Sequence, residues 1–241
     1  MHSIHSSETS YSEWSSVLAR GNFVAGSHPA GSSRREEYAE ATRLAIIDAA
    51  RRLFSEQGYF ATKVDEIAAL ARVSPATVYA VSGGKNGLLR TLTETWASAP
   101  IVSVTLEEID AEQEAESCLR LVAASCRRMR EEFGDIMRVL LATAPHDEAV
   151  AQSFAMATAR YREAFLPIGR KLVELGALRQ GVDLAQTLDV LWFYFGYSGL
   201  FTLRDDNGWT YDRAECWLYE QAARALLEPA GREPYRASPA G

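Results

Sequence analysis

Apolar residues recur along this chain at the three- and four-residue spacing of amphipathic helices, which predicts an all-α protein. Ile46, Ile47, Ala49, Ala50, Leu53 and Phe54 build the first such face, a helix of about three turns ended by Gly58. The stretch from Val64 to Leu89 reads as two short helices hinged by a tight turn. Ile67 and Leu70 share a face of the first. Thr62 is a cap-type residue ahead of it, and Asp65 and Glu66 put negative charge in its first turn, where the helix dipole favours it. Ala71, Arg72 and Val73 make the turn. Ser74 is placed to cap a second helix, PATVYA, whose first position, Pro75, loses nothing by lacking an N–H. Val73 and Val78 then face inward, leaving Thr77 and Tyr79 to point out. Such a helix, apolar inside and hydroxyl-bearing outside, suits a DNA major groove, although similar pairs occur in helical proteins that never touch DNA. A further helix carries Leu88, Leu89, Leu92 and Trp96 with Lys85 at its entrance, and Pro100 ends the unit.

Beyond Pro100, Leu119, Val122, Cys126, Met129 and Phe133 mark a helix of about five turns closed by Gly134. Ile136, Val139, Leu140 and Thr143 make a shorter one stopped by Pro145. Asp147 is positioned to cap a long stripe, Val150, Phe154, Ala157, Tyr161, Phe165, Ile168, Leu172 and Leu175, that ends at Gly176. Pro167 removes the hydrogen bond to the Glu163 carbonyl, so a kink is expected there, and a kinked long helix commonly borders a cavity. The run from Val190 to Leu203 has fourteen residues without a charge, too few for a bilayer, and reads as a buried helix. Leu184, Leu188, Leu191, Phe195 and Gly199 form one stripe on it, and Val190, Phe193, Tyr194, Tyr197 and Phe201 another. A helix apolar on both sides buries both, one inside its own domain and one against a partner subunit. The last helix carries Cys216, Trp217, Leu218, Leu226 and Leu227 and ends at Pro229.

Charge changes the picture once it is divided. The chain has 241 residues and a net charge of -7, but residues 34–90 hold nine Lys or Arg against seven Asp or Glu, while residues 91–241 hold fifteen against twenty-three. Nonspecific DNA affinity scales with phosphates neutralised, so one modestly basic domain per subunit implies a dimer and salt-dependent binding. Cys118, Cys126 and Cys216 form no CxxC pair and lie near no His cluster; neither metal site nor disulfide is expected, and all three read as small core residues. No cofactor is expected either. His146 stands beside Asp147 with Ser153 further on, a spacing without nucleophile, base and orienter, and Gly83–Lys85 lacks the remaining residues of a phosphate loop, so no enzyme is expected. Residues 1–33, rich in Ser, Gly and His, carry no signal peptide and read as a disordered extension, with Tyr11, Trp14 and Leu18 spaced for a short docking helix. Residues 230–241 read as a disordered tail. A cytoplasmic protein without a membrane segment is expected.

The stretch from Thr42 to Leu89, about a fifth of the chain, resembles the DNA-binding domain of the TetR family of bacterial transcriptional regulators. Thr42, Arg43, Ala49, Ala50, Leu53, Phe54, Gly58, Thr62, Val64, Ile67, Ala68, Val73, Ser74, Thr77, Tyr79, Lys85, Leu88 and Leu89 carry the resemblance. It implies a three-helix helix-turn-helix domain over 34–99 and a larger helical effector-binding and dimerisation domain over 100–229. By the same resemblance Thr62, Ser74, Thr77, Tyr79 and Lys85 contact DNA, mostly at phosphates, with Pro75 and Ala76 nearest the bases. Arg34 and Arg35, just ahead of the first helix, are placed to reach a phosphate. Two departures stand out: Arg72 occupies a position where the family often has Gly, and Ala80, Val81 and Ser82 replace a bulkier pair ending in Phe. The family likeness further implies a homodimer, with Phe193, Tyr194, Tyr197, Phe201 and Trp217 at its interface. That dimer would bind a palindromic operator in double-stranded DNA, as a repressor, until a small apolar or amphipathic effector releases it. Candidates to line the effector pocket are Met137, Phe154, Tyr161, Phe165, Trp192 and Phe195, and the acidic balance would tolerate a cationic ligand. Two alternatives stay open: a helical ligand-binding protein with a degenerate DNA domain, and a regulator without a small-molecule effector.

Overall fold

The computed structural model describes residues 34–228, so the readings made for 1–33, including Tyr11, Trp14 and Leu18, and for 230–241 lie outside the described residues. Its helices are α1 (Arg34–Gln57), α2 (Val64–Ala71), α3 (Pro75–Ser82), α4 (Lys85–Ala97), α5 (Pro100–Ala111), α6 (Ala115–Thr143), α7 (Glu148–Glu163), α8 (Phe165–Glu174), α9 (Leu184–Phe195), α10 (Tyr197–Phe201) and α11 (Tyr211–Leu226). The fold is all-α; among the described residues the one β-type pairing is an isolated antiparallel bridge between Leu178 and Leu227. No helix among them is long and apolar enough to cross a membrane. The chain forms two compact units, one of 34–100 with 133–160 and one of 101–132 with 161–228. Residues 133–160, expected in the second domain, thus fall in the first unit.

In the first unit, α1 has 24 residues rather than the three turns its apolar face suggested. The added turns are polar, and periodicity cannot see them. Glu36 and Glu37 sit in the first turn, and Arg43 makes two hydrogen bonds to Glu40, so local chemistry carries the helix where burial does not. Gly58 then leaves the helix at φ +84. The turn after α2 is made by Arg72 in the left-handed region, φ 57 and ψ 42, with the Val73 N–H closing back on the Ala68 carbonyl at 2.9 Å. Helix α3 starts as its sequence demands, with the Thr77 N–H donating to the Ser74 hydroxyl oxygen and Pro75 in the first turn. Gly87 allows α4 to pass the end of α3: a Cβ at that position would lie 1.6 Å from the Ser82 carbonyl oxygen.

Three expected boundaries move. Pro100 begins a helix, α5, rather than ending the unit. Gly134 ends nothing, because α6 runs unbroken through it for 29 residues. A mid-helix glycine costs about 1 kcal/mol against alanine, and the buried Phe133, Ile136, Met137 and Leu140 around it outweigh that. Finally, the run from Val190 to Leu203 is not one helix. It breaks at Gly196, whose backbone is extended, and Thr202–Asp206 continue as a π-helical turn. A Cβ at Gly196 would sit 2.3 Å from the Trp192 carbonyl oxygen, so only glycine makes this corner. Pro167, in contrast, acts as its chemistry requires, for the long stripe divides into α7 and α8 at Ala164.

The second unit packs Ile109 of α5, Leu119, Val122 and Cys126 of α6, Phe165 and Leu172 of α8, Leu191 and Phe195 of α9, and Leu218 and Leu226 of α11 into one buried core. Cys118 and Cys126 belong to it, whereas Cys216 is exposed, contrary to its reading as a core residue.

Candidate nucleic-acid interface and effector cavity

Helix α3 is attached to its unit by one buried side chain, Val78. Everything else on it is at least partly open. Pro75 and Ala76 are exposed at its amino end, Thr77 is half-buried with its hydroxyl 2.9 Å from that of Ser74, and Tyr79 is 57% exposed. The Ala80–Ser82 departure leaves Val81 exposed as well. What results is a short capped helix presenting hydroxyl groups and a positive helix end outward, which can approach phosphates and base edges. Arg34 and Arg35 are exposed as the first residues of α1.

Two of the expected contact residues are engaged elsewhere. Thr62 is 1% exposed, and its hydroxyl donates to the Gly58 carbonyl at 2.8 Å. It locks the loop between α1 and α2 rather than meeting a phosphate, and it does not cap α2 either; there the Glu66 carboxylate accepts the Lys63 N–H at 2.9 Å. That bond, with a second from Gln57, holds the Glu66 carboxyl below the usual range. Lys85 donates from Nζ to the Tyr59 carbonyl at 2.8 Å and lies 4.6 Å from the Tyr59 ring centre. Burial pulls its pKa down, with Glu66 pulling the other way. Lys85 is therefore a clamp inside the unit first.

The six residues proposed for an effector pocket do not share one unit. Met137 and Phe154 lie in the first; Tyr161, Phe165, Trp192 and Phe195 lie in the second. Those in the second do assemble, with the Tyr161 ring 5.4 Å from Phe165 and 5.6 Å from Trp192, and the Tyr161 hydroxyl donating to the Phe195 carbonyl at 2.5 Å. Beside them is a cavity of about 30 Å³ with Thr105, Val122, Ser125, Cys126, Tyr161 and Phe165 in its wall. Burial pushes up both the Tyr161 phenol and the Cys126 thiol, so each is neutral here.

Arg130 was missed. It is 2% exposed and sits against this cluster, its Nη2 donating to the Gly196 carbonyl at 2.7 Å and its guanidinium 5.5 to 5.9 Å from the ring centres of Phe201, Tyr161 and Tyr197. The signal was available, since Arg130 follows Cys126 by four and precedes Phe133 by three on the apolar stripe of α6.

Tyr197 and Phe201, expected at a subunit interface, are largely buried around Arg130 within the chain, and Tyr197 also lines the groove walled by Phe193 and Trp217. Phe193 is 72% exposed, Trp217 is partly exposed and Tyr194 half-buried. With Trp192 and Trp209 these three residues wall a groove of about 880 Å³ on the second unit. Its apolar aromatic surface is of the kind that meets a partner.

An all-helical chain with a capped, outward-facing second helix in a three-helix head has the form of a helix-turn-helix domain. A sequence profile described as bacterial regulatory proteins of the tetR family matches residues 46–92. The HTH-type transcriptional repressor SCO4008 of Streptomyces coelicolor is 29% identical over 124 residues, which cover 52% of this chain and 65% of that relative. Among solved structures, a SmeT–triclosan complex matches with a TM-score of 0.64 and 20% identity over 82% of this chain and 99% of the other. A transcriptional regulator from Saccharomonospora viridis in complex with choline matches with a TM-score of 0.65 and 16% identity over 78% and 99%. Residues 46–92 thus match the DNA-binding part of the tetR family of bacterial regulatory proteins, and the chain as a whole shares its fold with solved regulators of that kind.

Proposed function

We propose that the protein is a homodimeric transcriptional repressor that holds a palindromic operator through paired α3 helices and releases it when a small molecule occupies the second unit. The exposure of α3 carries this reading. With Val78 alone buried and Ser74 capping the amino end, Pro75 and Ala76 can enter a major groove while Ser74, Thr77 and Tyr79 reach the flanking phosphates. The small basic excess of residues 34–90 favours two copies acting together. Aromatic surface at Phe193 and Trp217 supports a subunit contact on the second unit. SmeT with triclosan and the Saccharomonospora regulator with choline support the small-molecule reading. A ligand that favours the non-binding conformation weakens DNA affinity, and DNA weakens the ligand by the same factor.

Binding of the purified protein to the DNA upstream of its own gene, measured across a salt series, tests the proposal. Tight, sequence-dependent binding with a steep salt slope is expected. Weak binding, equal on any sequence, would overturn it in favour of a ligand-binding protein with a degenerate head.

A further inference from the structure

The first unit carries a groove of about 540 Å³ that the operator-binding reading leaves unused. It is lined by Ser82 at the end of α3, by Leu89 and Arg90 of α4, by Leu140 of α6 and by Val150 and Met156 of α7, all within the one compact unit. Leu89, Leu140 and Val150 are buried, whereas Met156 leaves 63% of its surface open, a flexible thioether suited to packing on an incoming ring. Arg90 is the one charged residue among those lining the groove. Glu94 lies 3.8 Å from it along the same helix with both side chains about two-thirds exposed, a pair worth little. The groove therefore offers an apolar wall with a positive charge at it.

The chain holds a segment of matching chemistry. Tyr11, Trp14 and Leu18, at the i, i+3, i+7 spacing of one helical face, lie outside the described residues, and operator binding makes no use of them. Glu13 stands beside Trp14, and residues 1–33 carry two Glu against one Arg. An acid next to a ring suits the groove at Arg90 and not the aromatic groove of the second unit, where the one charged lining residue is Asp189. Reach is sufficient. Fifteen residues separate Leu18 from Arg34, a span of up to about 50 Å, against about 36 Å for the whole length of α1. We propose that residues 11–18 dock in this groove of the same chain, with Trp14 against Met156 and Glu13 at Arg90. The dock bears on α3, since the Ser82 hydroxyl in the groove wall donates to the carbonyl of Val78, the residue that anchors that helix.

Benzoylphenylalanine placed at position 14 of the full chain, irradiated and mapped by mass spectrometry of the digest, reads the contact directly. Cross-links within one chain to the α7 segment holding Met156 are expected. Arg90→Glu in the same protein is expected to cut their yield about threefold, as the loss of an exposed ion pair does, and Glu13→Arg added to it to restore the yield. Arg90 is exposed, so its replacement leaves the fold of the unit intact. Cross-links to another face of the chain, the Trp209 and Trp217 groove included, or to a second chain, or none at all, overturn the dock. A yield indifferent to Arg90→Glu overturns the charge pairing and with it the choice of groove.

Discussion

Arg51 grips Asp135 with two parallel hydrogen bonds, Nε to Oδ2 and Nη2 to Oδ1, each 2.6 Å long. The pair ties α1 of the DNA-binding head to the carboxyl half of α6 inside one compact unit, and Ser55 leans on the same carboxylate. Asp135→Asn leaves the largely buried Arg51 guanidinium without that charge. Because the Asp135 side chain is about a third exposed, water offsets part of the loss, and destabilisation of about 2 kcal/mol is expected rather than the larger cost of a fully buried pair. Urea unfolding measures it, as a lower midpoint at unchanged slope.

Arg72 holds a left-handed backbone conformation that costs an L-residue about 1–2 kcal/mol relative to its usual wells. Arg72→Gly relieves the strain but frees the unfolded chain, so a net gain of about 0.5–1 kcal/mol is expected. Arg72→Val should lose at least as much. Thermal melts of the three proteins side by side give the order directly.

Tyr79 and Lys85 separate a surface role from an internal one. Tyr79→Phe removes one exposed hydroxyl, so DNA affinity should fall about two- to fivefold on every sequence while the melting temperature holds. Lys85→Gln breaks the bond to the Tyr59 carbonyl and the contact with its ring, and a stability loss of about 1 kcal/mol should accompany any loss of affinity. A Tyr79→Phe protein with unchanged affinity would remove Tyr79 from the contact surface.

Charge at Phe193 tests the subunit surface. Phe193→Arg adds a cation to an exposed ring position, and sedimentation is expected to find folded monomers. Tyr197→Arg should instead unfold the second unit, because that ring is buried beside Arg130 and a second cation has no room there. A dimer that survives Phe193→Arg moves the interface to another face.

Features decided by local chemistry were legible in the residues themselves. Ser74 and Pro75 start α3, Asp147 accepts the Val150 N–H at 3.0 Å to start α7, Pro167 divides the long stripe, and Gly58 and Gly176 take positive φ. Features decided by packing were not. Apolar periodicity follows burial, so it overlooked the polar turns of α1; α5 was hidden instead by reading Pro100 as an end, although Val102, Leu106 and Ile109 stand at helical spacing, and Gly134 was weighted by a propensity that neighbouring side chains outweigh. Residue type alone also cannot tell a hydroxyl that faces solvent, as in Tyr79, from one turned to the backbone, as in Thr62. Arg130 was legible in principle. A charge on an apolar stripe needs a reason, and that reason lies in carbonyls and rings distant in sequence.

At the corner between α9 and α10, the Phe195 and Gly196 carbonyls are bound by the side chains of Tyr161 and Arg130. A helix carbonyl closed by its own backbone is indifferent to mutation, whereas these two are held by groups that a single codon change can alter. Gly196 itself has no substitute, for any side chain there collides with the Trp192 carbonyl. The bend itself is thus fixed by backbone sterics at one residue, while the carbonyls it exposes are held by two side chains from other helices, Arg130 of α6 and Tyr161 of α7.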